Sequence, residues 1–159
     1  PPLTAGELTF GFVMGGVVRG VLVGVFVGLA MAIFVPMHIS PPGLILFHGI
    51  GASLMLSLMG LLTGIVAEKF DQQSTVSNFI ITPLAFLSGT FYSIDMLPKP
   101  WDTIALANPI VYLVSGLRWT FYGSSDVDIG VSFAITLGFL AFCVAVIAYI
   151  FRTGWRLRA

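Results

Sequence analysis

TPLAFLSGTFYSIDMLPKPWDTIALANPIVYLVSGLR, Thr82 to Arg118, is the stretch on which the reading of this chain turns. An apolar run ends inside it near Tyr92, and a corner rich in Pro, Trp and Asp follows at Pro98, Pro100, Trp101 and Asp102. A second, amphipathic segment, 98–122, then precedes the next fully apolar run. Long apolar helices interrupted by a half-apolar element on one side describe an all-α membrane protein with short re-entrant or interfacial helices.

Composition agrees. Of the 159 residues 57% are hydrophobic and 9% charged, against about 25% charged in an ordinary soluble domain. So few charges cannot solvate a shell around a core of this size, and lipid is the expected solvent. The net charge is zero, with no basic stripe to neutralise phosphates, which argues against a nucleic-acid partner. The single cysteine, Cys143, excludes an internal disulfide or a Cys-based metal cluster. Because Pro1 leads the sequence and no charged segment feeds a cleavable apolar one, the chain is expected to be the C-terminal part of a longer protein.

Outward from the central stretch, hydropathy predicts spans over 9–35, 44–67, 75–92 and 129–151. The segment before the first span places Thr4 three residues ahead of Glu7, the spacing of a capping box. Pro83 lies inside the third span and is expected to kink it. Arg152, Arg156 and Arg158 crowd the final end beside Trp155, so the C-terminus is expected to be cytoplasmic. The Glu68–Ser74 loop then falls inside, while the His38 turn and the net-acidic region from Ser93 to Asp128 fall outside.

Gly16, Gly20, Gly24 and Gly28 recur every fourth residue along the first span. Small residues at that spacing let helix backbones approach closely, either within one chain or between copies. Gly49, Ser53, Ser57, Gly60 and Gly64 repeat the idea in the second span. Arg19 is the formal charge inside a span, where a guanidinium costs about 2.5–3.5 kcal/mol unless it snorkels or pairs. It is expected to reach the interface, to meet Glu68 or Asp71, or to line a transport path. His48, without a second ligand at metal spacing, reads as a hydrogen-bonded packing residue, and no metal site is expected. GxxxxGK[ST] is absent, so this stretch is not expected to hydrolyse ATP.

Across Leu87-Ser88-Gly89, Phe91-Tyr92, Leu97-Pro98, Trp101, Asn108-Pro109, Tyr112 and Arg118 the sequence resembles the permease subunits of type-2 ABC transporters. PPLTAGEL at the start is similar to the end of that family's cytoplasmic coupling segment. The resemblance covers residues 1–159 and implies the last helices of a transmembrane domain in the inner membrane. It implies a cytoplasmic ABC ATPase partner carrying ATP and Mg, a second permease copy in a homodimer, and no cofactor in this chain. Pro2, Leu3, Thr4 and Glu7 would couple to the ATPase. Leu97, Pro98, Trp101, Asn108, Pro109, Tyr112 and Arg118 would build an outer re-entrant gate. Asn108 is expected to cap the second short helix with Pro109 in its first turn. Tyr112, Trp119 and Tyr122 suit an interfacial aromatic belt. Two other readings compete with an ATP-driven exporter. An ion-gradient-driven transporter or channel would call for intramembrane carboxylates, which the spans lack, and a non-transporting scaffold would rest on the glycine stripe alone.

Overall fold

Thr4 opens the first helix as its spacing to Glu7 predicts. The Thr4 hydroxyl accepts the Glu7 amide at 3.3 Å, and Glu7 Oε2 accepts the Thr4 amide at 2.8 Å. This computed structural model describes residues 4–36, 42–67 and 69–153. From the cap, α1 runs Ala5–Phe34, and α2 follows over Pro42–Val66. The last helix, α7 (Ile129–Thr153), starts behind Asp128, whose carboxylate accepts the Gly130 and Val131 amides at 2.8 and 3.3 Å. These three helices are long and apolar enough to cross a membrane.

The segment expected to span 75–92 folds differently, and Pro83 explains much of it. It is a continuous helical run over 70–86 that widens in its middle: α3 (Phe70–Val76), a π-helical turn (Ser77–Ile81) and α4 (Thr82–Phe86), of seven, five and five residues. The Thr82 amide reaches back to the Ser77 carbonyl. That wider turn lies just before the proline, whose ring would otherwise meet the carbonyl four residues earlier. The run ends at Phe86, because the Ser88 and Thr90 hydroxyls both donate to the Ala85 carbonyl (2.5 and 3.3 Å). Gly89 then turns the chain at φ +81°, where a side chain would be strained. At 1.5 Å per residue the run is about 25 Å long, short of the roughly 30 Å of a hydrocarbon core.

α1 lies along α2 through part of the glycine stripe. A Cβ on Gly16 would stand 2.9 Å from Ser57 Cβ, and one on Gly20 would stand 2.8 Å from Ser53 Cβ. Both serines fold their hydroxyls back to carbonyls of their own helix, at Gly49 and Ser53 (2.9 and 2.7 Å), so a polar seam closes without orphaned groups. Gly24 and Gly28 face open space instead. Among the described residues the stripe therefore packs over its first half.

The core is layered along α2 and α7. Toward the end of the bundle where α1 starts, Val13 and Val17 meet Leu58, Cys143 and Ile147. At mid-length, Met55 packs on Ile110 and Leu113. Nearest the end where α2 and α7 begin, Ile94, Ala105, Val111 and Tyr112 form a third cluster.

Candidate functional site: the re-entrant pair and its clasp

A short 3-10 turn (Ile94–Met96), α5 (Trp101–Leu106) and α6 (Pro109–Tyr122) build the region between α4 and α7. Between α5 and α6 the chain turns back on itself at Asn108-Pro109. This corner is deep. Its neighbours Ile110 and Leu113 pack against Met55, Leu84, Phe139 and Leu140. Met55 lies about 20 Å along α2 from Pro42 at 1.5 Å per residue. The pair thus descends through α5, turns near the middle of the bundle and returns through α6.

Irregular backbone at such depth survives only when its polar groups are satisfied from within the protein. Asn108, 3% exposed, does this twice. Its Oδ1 accepts the Ile110 amide at 3.0 Å, the cap expected from the sequence. Its Nδ2 donates at 2.6 Å to the Leu84 carbonyl, left without a helical partner where α4 ends. Tyr112 acts similarly on the other limb, its hydroxyl donating to Leu106 O, at the end of α5, at 2.7 Å. Tyr112 is thus buried rather than part of an interfacial belt, whereas Tyr122 is exposed.

Arg118 makes the second knot. Its guanidinium pairs with Asp126 at 2.7 Å and also donates to the Gly89 carbonyl. Asp126 in turn accepts from the Ser93 hydroxyl and, at 3.4 Å, from the Ile94 amide. One ion pair therefore ties α6, the turn after α4 and the loop before α7. Alongside it, Ser115 Oγ accepts the Val127 amide at 3.0 Å. Gly123, at φ +69°, closes α6 with its amide on Trp119 O.

The structure gathers most of the expected gate residues. Leu97 packs on the cluster of Ile94, Ala105, Val111 and Tyr112, Asn108 and Arg118 form the two knots, and Pro109 opens the first turn of α6. Pro98 and Trp101 stand on the exposed rim, where the Pro98 carbonyl accepts the Trp101 amide at 2.9 Å. Sequence reasoning missed Asp126, which it counted only as part of an acidic loop. The available signal was Arg118, a cation in an apolar segment that calls for an acid nearby. Of the residues expected to couple to an ATPase, Thr4 and Glu7 form the exposed cap of α1, and Pro2 and Leu3 lie outside the described residues. So do the His38 turn, Glu68, Trp155, Arg156 and Arg158. Arg19 is exposed on α1, with no ion pair to Asp71 and no polar partner among the described residues. Among those residues no group of three or more His, Cys, Asp or Glu converges.

Apolar spanning helices around a buried, internally satisfied re-entrant pair define an all-α membrane protein. This chain belongs to the ABC-2 type transporter family, whose sequence model matches residues 1–122. It is 34% identical over 139 residues to the inner membrane transport permease YadH of Escherichia coli K12, covering 87% of this chain and 54% of that protein. It is also 29% identical over 70 residues to nodulation protein J of Rhizobium leguminosarum bv. viciae, covering 44% of this chain and 27% of that protein. The chain thus spans about half the length, or less, of these curated relatives. No solved structure matches it.

Proposed function

We propose that this chain is the membrane-spanning part of an ATP-driven exporter's permease subunit, working in the inner membrane as a dimer with a separate ABC ATPase. The family assignment supports the permease reading, and the inner membrane named for the Escherichia coli relative supports the location. The observation that carries the mechanism is the run of tight contacts from the α1 cap to the re-entrant pair. The Thr4–Glu7 box caps the start of α1. Gly16 and Gly20 fix α1 to Ser57 and Ser53 of α2. Met55 and His48 of α2 meet Ile110 and Gly116 of α6. In this reading, ATP and Mg bind the partner subunit, whose closure pushes on the segment around Pro2, Leu3, Thr4 and Glu7. The push passes along the contacts to α5 and α6, which gate the outer side. The C-terminus is cytoplasmic.

The test is the full-length protein co-expressed with its ATPase and reconstituted in proteoliposomes. Glu7→Ala is expected to leave the complex assembled while lowering substrate-stimulated ATPase activity and export together. Export that persists without any bound ATPase, driven by an ion gradient, would sink the proposal in favour of a secondary transporter. The spans offer apolar walls with Ser, Thr and aromatic residues, suited to a lipid-like, glycolipid or drug-like cargo.

A further inference from the structure

Three polar atoms, all enclosed, have no hydrogen-bond partner among the described residues: His48 Nε2, Ser132 Oγ and Thr136 Oγ1. Their residues are 0%, 0% and 1% exposed. Their helices bring them to one junction. α2 and α7 start at the same end of the bundle, and a Cβ on Gly51 would touch Thr136 Cγ2 at 3.6 Å. One turn toward the helix starts, Phe47 stacks on Phe133 with ring centroids 4.1 Å apart. Ser132, beside Phe133, therefore stands at the level of Phe47 and His48. The third wall is α6, where the His48 ring occupies the space a side chain at Gly116 would need.

The chemistry of the three atoms is complementary. His48 Nδ1 lies 3.0 Å from the Leu44 carbonyl, which can only accept, so Nδ1 carries the proton. In the neutral ring Nε2 is then a bare acceptor. Ser132 and Thr136 each bring a hydroxyl proton with no acceptor among the described residues. An acceptor and two donors on facing helices that do not bond one another are complementary to one small molecule with both functions, and water has both.

We propose that His48, Ser132 and Thr136 form a buried water-binding site at the junction of α2, α6 and α7. The water donates to His48 Nε2 and accepts from the two hydroxyls. It thereby links the α2 wall, against which α6 rests through Gly116, to the first turns of α7. This inference is independent of the transport reading and would hold for a scaffold as well.

The experiment uses the full-length protein in lipid nanodiscs. Water-edited solid-state NMR is expected to transfer magnetisation rapidly from water to the His48 ring, with Nδ1 protonated and Nε2 not. That transfer is expected to be lost in the Ser132→Ala/Thr136→Val double variant. Each single variant, which removes a hydroxyl at little change of shape, is expected to lower Tm by a few degrees. No transfer in the wild type overturns the proposal. So does an unchanged or raised Tm in both single variants, the result for hydroxyls that bond nothing. A hydrogen-bonded Nε2 with no water transfer would assign a direct hydroxyl contact and also overturn it.

Discussion

Asn108 carries the re-entrant corner because one amide side chain supplies both an acceptor and a donor where the backbone has lost both. Its replacement by Ala removes the cap of α6 and leaves the Leu84 carbonyl bare at depth. The expected loss is about 2 kcal/mol, read as a fall in Tm of the purified protein. Asn108→Asp keeps the acceptor for Ile110 but cannot donate to Leu84, so it is expected to rescue only part of that loss. Arg118 and Asp126 obey a different rule. Either single replacement by an apolar residue strands a part-buried charge, at a cost of about 2–4 kcal/mol. The Arg118→Met/Asp126→Leu double variant is expected to be milder than the sum of the singles, which a double-mutant cycle in Tm measures. Arg118 was legible in the sequence, but Asp126 was not, because pairing across a turn and a loop leaves no periodic trace.

At the scale of elements, the glycine stripe divides into two halves with opposite expectations. Gly16→Ala and Gly20→Ala push a methyl into Ser57 and Ser53, and overpacking of this kind costs about 1–3 kcal/mol. Ser57→Gly and Ser53→Gly are the matching rescues. Gly24→Ala and Gly28→Ala meet nothing among the described residues and are expected to stabilise α1 by up to about 1 kcal/mol through helix propensity. Thermal melts of the four variants decide this. Loss of assembly in Gly24→Ala would instead place the second half against another copy. The same repeat in the sequence cannot announce this division, since the spacing defines a face and not its neighbour. The shortened third helix makes a similar point. Pro83 marked a kink, but an apolar Phe91-Tyr92 hid the stop at Phe86, which the hydroxyls of Ser88 and Thr90 and the turn at Gly89 impose.

For the whole molecule, the layered core places the re-entrant pair at one end of the bundle and the Thr4–Glu7 cap at the other. Transport by such a bundle requires those ends to face opposite sides of the membrane. Ser124 is exposed in the loop before α7, while Cys143 is 1% exposed. A Ser124→Cys variant, in a full-length background free of other accessible cysteines, is expected to react with a membrane-impermeant maleimide added to intact cells. Labelling only after the cells are opened would invert the topology.

The sequence by itself determined the solvent, the helical class, the caps at Thr4 and Asn108, and the position of the re-entrant element. Each follows from local chemistry: apolar runs seek lipid, and orphaned amides at helix starts take the nearest side-chain oxygen. Tertiary structure decided what those elements touch. It chose Ser53 and Ser57 as the partners of the glycine seam, and Asp126 as the partner of Arg118. It also buried Tyr112 against the end of α5 and gathered His48, Ser132 and Thr136 at one junction. These outcomes depend on which faces meet when the helices close on one another, and partners on different elements, up to 88 positions apart for His48 and Thr136, share no signal along the chain.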